Sequence, residues 1–202
     1  MSIKQITTAT PEGEAFLRQT SKPIDFNNPS DIRLMHETAK TLREFCNKNS
    51  CYAMAAPQLG THVRMLCLKH DVQDLTNAPV LNKIMVNPEI VSMSGETEWW
   101  ESCMSCIDSN GYGDFACVRR PYKTKMRYSD LEGREFVQDF QGFIVTALNH
   151  ERDHLDGILH RDRAAELQTG VPPEERNKRR KEAPYKIIRE EGVFEYPPLR
   201  RK

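Results

Sequence analysis

What this chain lacks narrows its function before any motif is considered. It has no net charge, with 29 Lys and Arg against 29 Asp and Glu in 202 residues. That balance removes the electrostatic motive for direct nucleic-acid binding or attachment to an anionic membrane. No apolar run approaches the roughly 20 residues of a membrane-spanning helix. Met1-Ser2-Ile3-Lys4-Gln5-Ile6 lacks the apolar centre of a secretory signal, so secretion is not expected, although a trimmed precursor segment is compatible with such a start. The six cysteines, at 46, 51, 67, 103, 106 and 117, do not form a disulfide framework and point to a reducing compartment with buried thiols. Cys103-Met104-Ser105-Cys106 has no second pair to complete a structural zinc site, and its surroundings lack a thioredoxin-like pattern. No internal repeat is present. At this length one domain with a substantial core, or a domain plus a tail, is expected.

What is there centres on Asn149-His150-Glu151-Arg152-Asp153-His154-Leu155-Asp156-Gly157. On a helix, positions i and i+4 share a face, so His150 and His154 would direct two imidazoles at one metal ion. Glu151 beside them is placed to serve as a general base toward a metal-activated water. The apolar run Phe143–Leu148 leads into the motif, as a buried helix would, and Gly157 is a plausible stop. Upstream, Asn27-Asn28-Pro29-Ser30 reads as a cap, and Ile32, Met35, Ala39, Leu42 and Cys46 follow at helical spacing. These predict an amphipathic helix over Asp31–Asn47, with His36 on its surface. Strands are expected at Val63–Leu68, as two short segments with a bend across Val80–Met93, and at Phe115–Tyr128 and Glu135–Phe140, joined by a turn at Ser129–Arg134. A polar loop is expected around Asp74. From Ala164 the chain is dominated by charge, which reads as a solvated tail or exposed helix. The expected division is a domain over 1–163 and a charged extension over 164–202.

Two imidazoles need at least one further ligand, and two candidates compete. Downstream, His150 through His160 fits H-E-x-x-H-x-x-G-x-x-H, the metzincin protease pattern. That architecture also requires a methionine turn after the helix, and Met126 is the last methionine. Arg161-Asp162-Arg163 after His160 reads as a solvated turn. Upstream, Cys103 would complete a Cys-His-His set with one position open, as catalytic metal centres require. The alternative for Cys103 is an ordinary buried thiol.

Three ordered segments resemble the signature motifs of the peptide deformylase family, G-x-G-x-A-A-x-Q, E-G-C-x-S and H-E-x-D-H. Here they are Cys51-Tyr52-Ala53-Met54-Ala55-Ala56-Pro57-Gln58, Glu101-Ser102-Cys103-Met104-Ser105 and His150-Glu151-Arg152-Asp153-His154. Asn87-Pro88-Glu89, Ser94-Gly95-Glu96, Leu155–Leu159 and Asp162-Arg163 are similar to the family's framework, so the resemblance covers roughly residues 1–163. It implies an α+β fold with antiparallel sheets packed around a central metal-binding helix, to which the residues themselves add the N-terminal helix and the charged C-terminal extension. It also implies hydrolysis of the formyl group from the N-terminal formyl-methionine of nascent polypeptides. Cys103, His150 and His154 would be the metal ligands, and His160 would have a packing or surface role. Glu151 would be the general base and then acid, with Gln58 and the Met104 backbone N–H stabilising the oxyanion. Tyr52, Ala53, Ser102, Phe143, Thr146 and Ala147 would line the substrate cleft, with the peptide added as a strand. The implied cofactor is one divalent ion, Fe2+ foremost, with Zn2+, Ni2+ or Co2+ suited to the same ligands. The implied partners are N-formyl-methionyl peptides and nascent chains at the ribosome. The implied location is the cytoplasm of a bacterium, or a mitochondrion or plastid of a eukaryote.

Three motif glycines are replaced here, by Cys51, Ala53 and Ser102. A positive φ at any of them would cost roughly 1–2 kcal/mol without glycine, and the Ala53 methyl would narrow the cleft. The reading is an active enzyme with an altered cleft. Its alternatives are a paralogue that holds metal and peptide with little turnover, and a metzincin-like protease.

Overall fold

The computed structural model describes residues 5–49, 51–69 and 83–200. The polar loop expected around Asp74 and the first three residues of the Val80–Met93 segment lie outside them. α1 (Pro11–Leu17) is capped by the Thr10 hydroxyl, which accepts from Gly13 N at 3.1 Å. α2 (Pro29–Lys48) starts where Asn28 Oδ1 accepts from Ser30 N at 2.9 Å, with Pro29 supplying a helical φ in the first turn. Its Met35, Ala39, Leu42 and Cys46 are buried and His36 is exposed, as the spacing predicts. α1 was not anticipated, although its threonine cap and proline are ordinary helix-start signals.

The sheet is antiparallel throughout. Its path runs through β1 (Ala53–Ala55), β2 (Met65–Leu68), β3 (Lys83–Ile107), β4 (Gly113–Arg120) and β7 (Ala164–Val171). Off this path, β5 (Lys123–Ser129) pairs with β3 and β6 (Glu135–Gln141), and β8 (Lys186–Val193) pairs with β3. The expected two short strands with a bend are instead the start of β3, one strand of 25 residues that carries on through the second motif. Asn87-Pro88, the expected bend, is absorbed where the pairing of β3 changes from β2 to β5. β3 pairs with β2 up to Val86 and with β5 from Val86 onward, and the pairing with β5 shifts register between Val86 and Glu89, so Pro88 falls in that irregularity, where no ladder N–H is needed. Asn87 takes φ +49° there, and its side chain bonds both backbone groups of Ile24 at 2.9 Å. The reading of Phe115–Tyr128 as strand resolves into β4 and β5.

α3 (Phe143–Leu155) packs against this curved sheet, and ten of its thirteen residues are buried. Ile144, Val145 and Leu148 meet Ala55, Leu66, Met85 and Met126 in the main core. Gly157 ends it at φ +67°, where an added Cβ would lie 2.2 Å from the Arg18 carbonyl oxygen. The segment from Ala164 is not a solvated tail. It forms β7, α4 (Pro173–Glu182) and β8, and its two strands pair with β4 and β3. Both strands are largely exposed, so backbone pairing rather than an apolar face holds them, and their own charges lie in water, whereas Arg176 of α4 is buried and bonds the Gly111 carbonyl at 3.0 Å.

Candidate active site

The helix turn that separates His150 from His154 brings their rings to a centroid distance of 5.1 Å. Cys103 arrives from β3. Between Ser102 and Ile107 the pairing of β3 with β4 shifts register, and such irregularities re-aim side chains that a regular strand would alternate across its faces. The result is a buried set in which one ligand atom each of Cys103, His150 and His154 lie within 4.8 Å of one another. Cys103 Sγ is 3.2 Å from His154 Nε2. Tetrahedral ligands at ordinary metal–sulfur and metal–nitrogen lengths lie roughly 3.5 Å apart, so this set fits a divalent ion.

The second layer fits it too. His150 Nδ1 is 2.8 Å from Glu101 Oε2, so the carboxylate accepts from that nitrogen and leaves Nε2 as the ring's ligand atom. Burial alone would raise the Glu101 pKa, but Arg120 and the His150 N–H outweigh it and hold Glu101 well below the usual carboxylate range. Arg120, wholly buried, forks onto Glu101 at 2.9 and 3.0 Å and reaches Asp153 at 2.5 Å. Asp153 also accepts two bonds from Arg163, at 2.6 and 2.7 Å. Asp153 thus points away from the ligands and anchors α3 from behind. Tyr196, near the C-terminus, joins this back side by donating to Asn149 Oδ1 at 3.1 Å, with its ring 3.7 Å from the Arg163 guanidinium carbon.

On the other side lies a cleft of about 280 Å³. Glu151, Gln58, Cys103, Met104 and His150 line it, with Tyr52, Ala53, Ser102, Phe143, Thr146 and Ala147. All the expected site residues except His154, buried beneath, therefore border one cavity. Burial raises the Glu151 pKa to about 7, and its Oε2 is buried without a hydrogen-bond partner. Gln58 is fixed through Oε1, which accepts from Ala55 N at 2.8 Å, so its Nε2 faces Ser105 Oγ at 3.2 Å and Cys103 Sγ at 3.6 Å. Met104 lies in the shifted stretch of β3, outside the paired register.

None of the three glycine replacements is strained: among the described residues only Asn87 combines a side chain with a positive φ. Ala53 is buried and paired with Leu68 in β1. Ser102 Oγ accepts from Arg180 Nη2 at 2.7 Å, while Arg180 Nε bonds the Trp100 carbonyl at 3.2 Å. Arg180 comes from α4 and lines the cleft, a role hidden within its charge run. Trp99 also borders the cavity, and its ring meets Phe143 edge-on at 5.4 Å. Glu101 was visible in the second motif, but its bond to His150 was not. His160 is not on a solvated turn. It is 1% exposed, on a short 3₁₀ turn held by Asp162 Oδ2 accepting from Leu159 N at 2.9 Å.

Comparison with known proteins gives a consistent result. A family described as Polypeptide deformylase matches residues 3–170. Peptide deformylase 1 of Clostridium perfringens is 32% identical over 74% of this chain and 91% of its own length. A crystal structure of a peptide deformylase from Legionella pneumophila aligns with TM-score 0.59 and 27% identity, covering 89% of this chain and 92% of that one. The Met-Ala-Ser-bound class I type b peptide deformylase from Acinetobacter baumannii aligns with TM-score 0.64 and 25% identity, over 81% of this chain and 98% of that one.

Proposed function

We propose, for a chain that belongs to the polypeptide deformylase family, that it hydrolyses the formyl amide of N-formyl-methionyl peptides with the residues gathered around Cys103, His150 and His154. The observation that carries this assignment is the juxtaposition of that ligand set with Glu151 and Gln58 at one cleft. A divalent ion held by Cys103, His150 and His154 would supply Lewis acidity toward a carbonyl oxygen and would bring a water's pKa toward neutrality. Fe2+ is the proposed ion, and the same ligands accept Zn2+, Ni2+ or Co2+.

Glu151 takes the proton from the attacking water and returns it to the departing amine, so one carboxylate serves as base and then acid. Its buried, unpaired Oε2 is free for that exchange. Gln58 Nε2–H and the Met104 N–H donate to the oxygen that gains charge, and the Gln58–Ala55 bond fixes the first donor in advance. Phe143, Thr146 and Ala147 form one wall for the methionine side chain, with Tyr52 meeting Phe143 edge-on at 5.3 Å. The peptide backbone runs beside β1, adding a strand past Ala53. The Met-Ala-Ser peptide bound to the Acinetobacter baumannii protein supports a short methionyl peptide as the ligand. We place the activity where chains begin with formyl-methionine, on nascent chains at the ribosome, in a bacterial cytoplasm, a mitochondrion or a plastid. Cell fractionation tests that placement.

The function is tested by formate release from formyl-Met-Ala-Ser, with the protein loaded anaerobically with Fe2+. Release well above that of Glu151→Gln is expected. Wild-type release no faster than the variant would contradict turnover and leave only metal and peptide binding.

A further inference from the structure

Cys103 belongs to a second buried cluster on its other side. One ligand atom each of Cys103, Cys106 and His160 lie within 4.8 Å of one another. Residues three apart on a regular strand point to opposite faces. The register shift between Ser102 and Ile107 is what allows Cys106 to turn back toward Cys103, and its thiol sits against both the Cys103 thiol and the His160 ring. Cys106 is 4% exposed and Cys103 2%.

The His160 ring points to a ligand independently. Its Nε2 lies 3.2 Å from the Asp114 carbonyl oxygen, which can only accept, so in the neutral ring that nitrogen carries the hydrogen. The lone pair is then on Nδ1, which is buried, faces the Cys106 thiol and has no nitrogen or oxygen partner. A buried imidazole fixed at one nitrogen by a backbone carbonyl and turned with the other to a thiol is how a metal-binding histidine is held. Arg161, whose charge is felt by Cys106, is neutralised by Asp114 at 2.7 Å and by Glu14, so it does not preclude a positive ion there.

We propose that Cys103, Cys106 and His160 form a second position for a thiophilic divalent ion, adjoining the catalytic one and sharing the Cys103 thiolate with it. The assignment of the first position rests on the proposed function. A thiolate sulfur has lone pairs for two ions, and a set of two thiolates and one imidazole suits zinc or cobalt rather than a hard cation. The two sets have only Cys103 in common, with His150 and His160 rings 5.7 Å apart.

The test titrates reduced, metal-free full-length protein with Zn2+ and counts bound ions by native mass spectrometry. Wild type is expected to take up two ions, and Cys106→Ala and His160→Phe one each. His150→Ala should also retain one, at the second position. A variant that failed to fold would lose both ions, so retention of one is its own folding control, and the two variants substitute for each other. A wild type that binds a single ion, still bound in both Cys106→Ala and His160→Phe, would overturn the second position. Under that outcome, loss of the ion in His150→Ala leaves the catalytic assignment standing, and its retention removes that assignment as well.

Discussion

α3 and the segment from Ala164 to Arg200 meet the same site by opposite means. α3 is buried on nearly every side, and its position is fixed by apolar packing in front and by the Glu101–Arg120–Asp153–Arg163 array behind. The C-terminal segment is charged and exposed, and it is held by backbone pairing to β3 and β4. Yet it delivers Arg180 to the cleft wall and Tyr196 to the back of α3. A catalytic helix has to be rigid, so its residues carry large individual energies. A wall segment can be assembled from many weak contacts, so most of its residues are individually dispensable.

Substitutions can break that contrast or sharpen it. Glu151→Gln should lower the rate of formate release by about 10²–10⁴-fold, since it removes the proton acceptor while keeping the shape. Arg120→Met should cost about 3–5 kcal/mol in denaturant unfolding, because it leaves Glu101 and Asp153 buried without their shared cation. Arg180→Met should be milder, about 1.5 kcal/mol for its hydrogen bonds, and should raise KM more than it lowers kcat. Ile187→Thr on β8 should fall within about 0.5 kcal/mol of wild type, as exposed sites with no special contact do. A loss of several kcal/mol at Ile187, or none at Arg120, would erase the distinction between the two regions.

The same contrast explains what the sequence revealed. The helix motif, Cys103 in its Glu101–Ser105 setting and Gln58 behind Ala55-Ala56 were legible because metal chemistry demands particular side chains at particular spacings. α2 was legible because one face is apolar. β3 was not, because Asn87-Pro88 and Ser94-Gly95 look like ends when read locally, and only partner exchange along the strand lets it pass through them. β7 and β8 were hidden because exposed strands lack an alternating apolar face. The backbone strain expected of side chains at Cys51, Ala53 and Ser102 is absent for a related reason. Their backbones are unstrained, and the Ser102 hydroxyl anchors Arg180, a partner 78 residues away that no local motif announces.

The central claim is that β3 and α3 meet on one ion, with Cys103 rather than His160 as the third ligand beside His150 and His154. Loading Cys103→Ala and His160→Ala with a single equivalent of Co2+ and recording metal content with the thiolate-to-cobalt absorption tests it most directly. The account predicts that Cys103→Ala loses the thiolate band and the tightly held ion, while His160→Ala keeps both. A His160→Ala protein that lost the ion while Cys103→Ala retained it would contradict the claim and restore the three-histidine protease arrangement.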